Sequence, residues 1–375
     1  MNIKIHKADY VIIGAGIFGL YAAYLLTKKG AKVILLEKGV EAFSRASAIN
    51  QARVHNGYHY PRSHETAGKS AYYYDRFVCD FHFAIRNSFK QIYAISKSDS
   101  KITAREFINF CNFVNIDLQE FPPNRYFKKG TVEAAFLAKE CSFDFFKIRD
   151  YLLEKIKRNV FLIYDVRINT VEKGISSYSI RFNNNTSIET SFVINATYAG
   201  INDINEKFGQ EQYKLKYELC EVAFCEVPNE LRSIGITIMD GDYFSVMPFG
   251  TSKVHSFTSV KYTPRYILHE SFLKDIKGKS INKQACNMHN LRGCEICAQN
   301  IKSAWAEMYE LYNIYLKSHL ALKYKYSQFE IKAILLNSEG DDSRPTIIKK
   351  HTTQPTFISV FSGKISTIYD LEKYL

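Results

Sequence analysis

The pattern of apolar and polar positions is most regular in the first forty residues. Residues 10–13 form a short apolar run rich in β-branched side chains, which predicts a strand buried on both faces. Residues 20–29 follow with a helical period, and Gly30 is a typical helix stop. Residues 32–36 are apolar again and end at Glu37. The pattern therefore predicts a strand, a helix and a second strand in close succession.

Three glycines stand between the first predicted strand and the helix. Gly14 permits a tight turn, Gly16 allows the backbone to approach a pyrophosphate, and Gly19 lets the helix pack close to the strand. The free N–H groups and positive dipole end of the helix favour the phosphates. Glu37, 18 residues after Gly19, can accept ribose hydroxyls and disfavours a 2′-phosphate. This fingerprint predicts a bound dinucleotide and leaves FAD and NAD open.

Later segments favour FAD. Residues 44–61 are small, polar and aromatic without a helical period, so they can run along an extended cofactor. Residues 190–195 predict a buried strand that leads into a small-residue turn, and residues 362–364 open a predicted terminal helix that runs to Leu375. A simple NAD enzyme would continue with further βα units. Three distant segments that converge on one nucleotide indicate a flavoprotein.

In these segments the chain resembles the D-amino-acid oxidase superfamily of FAD-dependent oxidoreductases. Asn50 and the stretch from His55 to Tyr60 are similar to the corresponding loop of the L-2-hydroxyglutarate dehydrogenase branch, and the turns at Ala196-Thr197 and Gly363-Lys364 also match. The loop is similar as well to uncharacterised oxidoreductases encoded with bacterial surface-polysaccharide enzymes.

The resemblance implies an α/β fold with two interleaved domains. A Rossmann-like FAD-binding domain would comprise residues 1–75, 145–205 and 333–375. An α+β substrate domain with a mixed sheet would comprise residues 76–144 and 206–332, with an insertion near 280–300. The expected FAD contacts, from the fingerprint and the resemblance, are Gly14, Gly16, Ile17, Phe18, Gly19, Glu37, Lys38, Ser44, Arg45, Ala46, Ser47, Asn50, Gln51, Ala52, Val166, Ala196, Thr197, Gly363, Lys364, Ile365 and Ser366.

The rest of the chain alternates between patterns of period two and helical patterns. One helical stripe, formed by Trp305, Met308, Tyr312 and Tyr315, is more typical of a core than of a cofactor site. Further strands are predicted at 89–96, 130–138, 159–171, 177–182, 214–226, 242–248 and 253–260, and helices at 103–114, 143–157 and 304–316.

His55, His59 and Lys364 are the catalytic candidates. A neutral imidazole can take the proton of a substrate hydroxyl as a hydride leaves for flavin N5, and His55 and His59 are also explained as hydrogen-bonded structural histidines. Lys364 occupies the matching family position, where an ammonium at a helix N-terminus would favour an anionic reduced flavin. The alternative for Lys364 is a solvated side chain.

Four further residues are candidates for binding a substrate carboxylate. Tyr60 and Tyr243 can donate a hydroxyl, although each is also typical of a core. Arg53 and Arg344 can form a two-pronged contact, although Arg344 can instead pair with Asp341 and Asp342.

Eight cysteines in 375 residues are too few for a disulfide scaffold, and most lie in apolar runs, which predicts buried thiols in a reducing compartment. Cys286, His289, Cys294 and Cys297 lie within twelve residues, which leaves a zinc site open, but the superfamily does not require one and we predict no metal.

Composition and charge limit the remaining classes. With 46% hydrophobic and 23% charged residues the composition is that of a folded protein. Glycines interrupt the uncharged stretch at 10–27, so we do not interpret it as a signal peptide or a membrane span. We therefore expect a cytoplasmic protein without a transmembrane segment. The net charge of +12 is compatible with an anionic substrate or a membrane surface.

The leading hypothesis is an FAD-dependent oxidase or dehydrogenase for an amine- or hydroxyl-bearing carbon of an amino acid or 2-hydroxy acid. Its electron acceptor is left open. The alternatives are a sugar or sugar-nucleotide oxidoreductase of surface-polysaccharide synthesis and, with less support, an RNA-modifying flavoprotein. No aromatic and basic recognition module is visible, so we expect no nucleic-acid partner. A flavin-binding protein without turnover is a further alternative.

Overall fold

The computed structural model describes residues 4–98, 100–183, 186–269, 301–338 and 343–375. Within these ranges the helices are α1 (Ile17–Lys28), α2 (His64–Asp80), α3 (Ala104–Phe113), α4 (Phe145–Ile156), α5 (Ile201–Lys207) and α6 (Trp305–Tyr315). The strands are β1 (Lys4–Ile13), β2 (Val33–Leu36), β3 (Arg53–Val54), β4 (Ile85–Arg86), β5 (Lys90–Ser96), β6 (Leu118–Phe121), β7 (Val132–Ala138), β8 (Cys141–Phe143), β9 (Val160–Ile163), β10 (Ile168–Lys173), β11 (Tyr178–Phe182), β12 (Thr186–Asn195), β13 (Leu215–Glu226), β14 (Ile234–Met239), β15 (Phe244–Pro248), β16 (His255–Ser259), β17 (Pro264–His269), β18 (Lys323–Leu335), β19 (Ile347–Thr353) and β20 (Thr356–Phe361).

An eight-stranded sheet is built around the predicted N-terminal strand. β1 pairs in parallel with β2 on one side and with β12 on the other, and β9 extends the sheet beyond β2. The second half of β12 pairs in parallel with β20, while its first half pairs with the antiparallel strand β11. The carboxyl ends of β1, β2, β12 and β20 therefore meet at one edge of the sheet.

A nine-stranded mixed sheet forms the second large unit. Its strands run in the order β17-β13-β16-β15-β14-β5-β7-β6, with β18 also paired to β13, and β14 lies parallel to β5. Met308, Tyr312 and Tyr315 of α6 are buried against Phe244 and Phe257 of this sheet, as the stripe predicted. A small sheet of β3, β8 and β4 connects the loop after Glu37 to this part of the chain. The mixed α/β class is confirmed.

One predicted element is wrong. Residues 159–171 are not one strand, because the chain turns at Asp165, whose φ is 52°, and separates β9 from β10. The predicted terminal helix is present as the 3-10 helix Ile365–Lys373, and Lys364 before it is extended. Helix α2 was not predicted, because its buried side has the small and polar residues Thr66 and Ser70 among its aromatic positions.

Four of the five cysteines in the described ranges, Cys111, Cys141, Cys220 and Cys225, are buried, and Cys79 is exposed. The candidate zinc group of Cys286, His289, Cys294 and Cys297 lies outside the described residues. Within the described ranges, no group of three or more His, Cys, Asp or Glu side chains could hold a metal. No described helix is both long enough and apolar enough to cross a membrane.

The turn between β1 and α1 is the most crowded point of the eight-stranded sheet. Gly14 has φ of +100°, and a Cβ there would lie 2.7 Å from the carbonyl oxygen of Ala196 at the end of β12. A Cβ on Gly19 would lie 1.8 Å from the carbonyl oxygen of Gly14. Helix α1 can thus approach the strand ends only because these positions lack a side chain.

We predict that Gly19→Ala lowers the free energy of unfolding by about 3 kcal/mol or more, since the new methyl group meets backbone that cannot rotate away. Gly68→Ala is the matched control. Gly68 lies inside α2 with no atom near its missing Cβ, so alanine should stabilise the helix by about 0.5–1 kcal/mol. Thermal unfolding of the three proteins measures both effects, and equal melting temperatures for Gly19→Ala and the parent would contradict the close approach.

Candidate active site

The N-terminus of α1 is open to an anion. Gly16, the residue before the helix, is extended and provides no side-chain cap. The N–H of Ile17 donates to Ser47 Oγ at 3.0 Å, and Phe18 follows in the first turn. Because the first N–H groups of a helix lack partners within it, this end suits a pyrophosphate.

Glu37 is held at the end of β2 by two backbone groups. Its Oε2 accepts the N–H of Ala15 at 2.7 Å, and its Oε1 accepts the N–H of Gly39 at 2.7 Å. Each carboxylate oxygen keeps a further acceptor position for a ribose hydroxyl. Val166 lies beneath this acid, where its N–H donates to the Glu37 carbonyl at 2.9 Å, and Lys38 is exposed beside it.

The loop after Glu37 folds on itself. Asn50 Nδ2 donates to the carbonyls of Ala46 and Ser47 at 3.0 Å each, and its Oδ1 accepts the N–H of Ala52 at 2.6 Å. Ser44 Oγ donates to the Glu41 carbonyl at 2.9 Å. These bonds give the loop a fixed course beside the N-terminus of α1.

Two side chains fasten this loop to the nine-stranded sheet. Arg45 makes a two-pronged ion pair with Glu330 of β18, with distances of 2.9 Å from Nε to Oε2 and 2.8 Å from Nη2 to Oε1. Gln51 Nε2 donates to Thr258 Oγ1 of β16. The predicted cofactor loop is therefore bound to the sheet that was assigned to substrate.

The turns after β12 and β20 bring further residues to the same edge. The N–H of Ala196 donates to the Ile13 carbonyl at 2.9 Å, and Thr197 Oγ1 donates to Asn195 at 2.6 Å. Gly363 is exposed, whereas Ser366 is buried and Ile365 half-buried.

Lys364, Tyr60, His55 and His59 form one compact cluster. The Lys364 side chain is 6% exposed, its Nζ lies 3.6 Å from the centroid of the Tyr60 ring, and it donates to the Tyr60 hydroxyl. The centroids of His55 and His59 lie 5.5 and 5.4 Å from that of Tyr60 and 5.3 Å from each other. The structure thus brings all three catalytic candidates together, although they lie about 300 positions apart in the chain.

Arg53 lies in the cluster but is occupied by protein partners. Its Nη1 donates to Tyr93 Oη at 3.1 Å, its Nη2 to Thr237 Oγ1 at 3.1 Å and to Ser245 Oγ, and its Nε to Met247 Sδ at 2.9 Å. Each guanidinium nitrogen therefore has a protein partner, which weighs against the predicted substrate contact.

Glu140 supplies the negative charge of this group, and sequence reasoning missed it. It is 5% exposed and lies in the turn between β7 and β8. Its Oε2 lies 3.7 Å from Arg53 Nη1 and accepts the Tyr93 hydroxyl at 2.8 Å. Its Oε1 lies 3.4 Å from His55 Nδ1. The residues around Glu140 in the sequence do not indicate that it is buried, because its burial depends on the pairing of β8 with β3.

The structure places Tyr243 outside this cluster, whereas Arg344 lines a small cavity together with Phe361 and Gly363, the residue before Lys364. Tyr243 is buried under α6, where it packs against Tyr315 and donates its hydroxyl to the Ser98 carbonyl. Arg344 lies beside Ser343, whose carbonyl accepts its Nη1 at 2.8 Å, and its predicted partners Asp341 and Asp342 lie outside the described residues.

Burial controls the protonation of the cluster. Burial, the Lys364 ammonium and Arg53 hold the pKa of His55 well below its ordinary value. Burial, then His55, Arg53 and Lys364, also hold the pKa of His59 well below its ordinary value. Burial and then Arg53 lower the pKa of Lys364. Both imidazoles are therefore neutral at pH 7 and can accept a proton.

A dinucleotide with a redox-active end fits this arrangement. The N-terminus of α1, where Gly16 has no side chain, suits the pyrophosphate, and Glu37 suits a ribose. Lys364 and the histidine cluster lie where the turn after β20 meets the same edge of the sheet. FAD, when bound, supplies a two-electron acceptor. Bulkier residues at Gly14 or Gly19 would collide with the backbone of Ala196 or Gly14 and so displace the helix end from this position.

Comparisons with known proteins agree with this geometry. The family model of FAD-dependent oxidoreductases of the D-amino-acid oxidase type matches residues 9–265. An FAD-dependent monooxygenase of Fusarium mangiferae is 25% identical over 360 residues, which cover 96% of this chain and 87% of that protein.

Two solved structures share the fold. L-α-glycerophosphate oxidase from Mycoplasma pneumoniae, with FAD bound, has a TM-score of 0.69 at 13% identity and covers 98% of this chain and 93% of its own. Glycine oxidase from Geobacillus kaustophilus has a TM-score of 0.67 at 10% identity, with coverages of 97% and 91%.

These comparisons identify the family but do not distinguish its branches. The likeness of the loop from Asn50 to Tyr60 to the L-2-hydroxyglutarate dehydrogenase branch stays a prediction. The chain belongs to the D-amino-acid oxidase family of FAD-dependent oxidoreductases, and it is an enzyme with FAD as its cofactor.

Proposed function

We propose that the protein oxidises a carbon that bears an amine or a hydroxyl group and is attached to a carboxylate. The observation that carries this proposal is the buried cluster of His55, His59 and Lys364 beside Arg53. It combines two neutral proton acceptors with an excess of positive charge at the edge of the sheet to which the predicted cofactor contacts belong.

The charge balance favours an anionic substrate. The cluster contains the cationic groups Arg53 and Lys364 and the single carboxylate Glu140. Among the described residues, no carboxylate lies within ion-pair distance of Lys364, although burying an unpaired ammonium is costly. A substrate carboxylate would supply the missing counter-charge and raise the pKa of the lysine again.

The histidines account for the proton of the reaction. When an alcohol or amine becomes a carbonyl or imine, its C–H bond breaks with the electron pair leaving as a hydride to FAD, and its O–H or N–H bond gives up a proton. We assign that proton to His55, with His59 as the second candidate. A neutral imidazole is required for this role, and the buried setting keeps it neutral.

Anaerobic bleaching of the bound flavin tests the substrate class. We expect members of a panel of 2-hydroxy acids and amino acids to bleach the flavin, and the matching alcohols and amines without a carboxylate to fail. Bleaching by sugar nucleotides alone would support the surface-polysaccharide alternative instead. No bleaching by any member, in protein that dithionite reduces normally, would contradict an oxidation of this type.

The pH dependence of kcat/KM tests the base. Because the pKa of His55 lies well below its ordinary 6.5, the acid limb that reports it should appear below pH 6.5 and the rate should be flat from there to neutral pH. His55→Asn should lower the rate of flavin reduction roughly 10²- to 10⁴-fold while FAD stays bound. His64→Asn is the control, since His64 is exposed on α2, and its rate should match the parent. An undiminished rate in His55→Asn would remove His55 from the mechanism.

The potential of the bound flavin tests Lys364. Two-electron reduction leaves negative charge on the flavin, and a buried ammonium nearby stabilises it, so Lys364→Met should lose about 2–4 kcal/mol of that stabilisation. For a two-electron couple this corresponds to a potential lower by roughly 40–90 mV. Lys373→Met, at the exposed end of the same 3-10 helix, should leave the potential unchanged. Equal potentials in all three proteins would show that Lys364 does not face the flavin.

A further inference from the structure

Glu140 is surrounded by hydrogen-bond donors. The Tyr93 hydroxyl donates to its Oε2 at 2.8 Å, and the backbone N–H of Asn56 donates to its Oε1 at 3.3 Å. Arg53 Nη1 lies 3.7 Å from Oε2 and His55 Nδ1 lies 3.4 Å from Oε1. A carboxylate suits these four neighbours because both of its oxygens accept hydrogen bonds. A glutamine amide would place an NH₂ donor against the donors on one side.

The position of His55 relative to this carboxylate favours one tautomer of the neutral imidazole. Its Nδ1 is buried and makes no hydrogen bond with any described residue, and Oε1 of Glu140 lies 3.4 Å from it. A lone pair on Nδ1 would face the negative oxygen of Glu140, which is repulsive, whereas a proton on Nδ1 faces it favourably. The neutral ring therefore carries its proton on Nδ1 and its lone pair on Nε2.

We propose that Glu140 is a positioning residue that holds the proton of His55 on Nδ1, so that Nε2 is the atom that takes the substrate proton. The inference rests on the proposed function in one respect, the role of His55 as the base. Glu140 itself touches neither substrate nor cofactor in this proposal. It acts by fixing the ring and by facing the positive charge that the ring gains with the proton.

The electrostatic surroundings make this carboxylate effective. Arg53 and Lys364 oppose a charge on His55. Glu140 is the carboxylate of the cluster, and its Oε1 lies 3.4 Å from Nδ1 of this ring. Burial raises the pKa of Glu140, while Arg53 and the Tyr93 hydroxyl act against that rise. The titratable or charged groups that face His55 are Arg53, His59, Tyr60, Tyr93, Glu140 and Lys364.

The backbone adds to this arrangement. Asn56, directly after His55, is bound to Glu140 through its N–H and to the Lys139 carbonyl through its Nδ2 at 3.2 Å. The turn between β7 and β8 thus holds both the chain and the ring of the proposed base. A residue that served only to neutralise Arg53 would not need the contact to Asn56.

Histidine ¹⁵N NMR of the resting FAD-bound protein tests the inference without turnover. We expect His55, assigned by its loss in His55→Asn, to show the tautomer with the proton on Nδ1. In Glu140→Gln we expect a shift towards the other tautomer and a fall in the rate of flavin reduction of about 10- to 100-fold with KM changed less. Glu140→Asp, which keeps the charge, should recover part of the rate.

Glu221→Gln is the matched control. Glu221 is as deeply buried, but it accepts the N–H of Ala304 at 2.8 Å and the hydroxyls of Ser303, before α6, and Ser327 of β18. It should lower stability and leave the tautomer and the pH profile unchanged. A similar loss of rate in both glutamine variants would overturn the positioning role.

The two proposals fail in different ways. A proton on Nε2 of His55 in the unaltered protein would overturn the role of Glu140 even if no Glu140 variant folds. An undiminished rate in His55→Asn would instead overturn the role of His55 as the base, whatever the tautomer.

Discussion

Positive charge is buried where the eight-stranded and nine-stranded sheets meet, and the surrounding structure serves to compensate it. The side chain of Arg53, on β3, lies between the hydroxyls of Thr237 and Ser245 on the nine-stranded sheet. Lys364 follows the end of β20 and is also buried. Removing such groups from water costs several kcal/mol each unless partners replace the lost hydration. Glu140 and the hydroxyls supply those partners for Arg53. For Lys364 the described structure supplies the hydroxyl and ring of Tyr60.

This incomplete compensation links the architecture to the chemistry. The same cations that disfavour a proton on His55 and His59 leave both rings neutral, which is the state that a base requires. They also favour negative charge on whatever binds next to them, whether a substrate carboxylate or a reduced cofactor. One buried cluster can therefore both prepare the base and select the charge of its ligand, because both effects follow from the same excess of positive charge.

The parts that sequence predicted are those fixed by short-range geometry. Gly14, Gly19 and Glu37 act within one strand-helix-strand unit, so their spacing alone indicates the turn and the acid at its end. The meeting of His55 and Lys364 could be expected only through the family resemblance, since nothing local connects two residues so far apart.

Features that depend on the pairing of distant strands could not be predicted from the sequence. Glu140 stands in a short turn beside Lys139 and resembles a solvated turn residue until β8 pairs with β3 and buries it. The guanidinium of Arg53 was predicted to be available to substrate because its protein partners are distant in the chain: Tyr93 is 40 positions downstream, and Thr237 and Ser245 are more than 180 positions downstream. The missed helix α2 had a signal, since Ala67, Ser70, Tyr73, Tyr74 and Phe77 repeat at helical spacing, but serine and tyrosine obscure it in an apolar count.

The loop from Ser44 to Tyr60 joins the two sheets. Its first part is held to β18 by Arg45 and Glu330, its middle to β16 by Gln51, and its last part carries His55 into the cluster. These contacts restrict the course of the loop, and a restricted loop loses little conformational freedom when it binds a ligand, so more of the contact energy is available for affinity. The loop also keeps donors for a ligand, because the pair with Glu330 uses only Nε and Nη2 of Arg45. One loop therefore contacts both α1 and the nine-stranded sheet, and the position of His55 depends on the contacts at both ends.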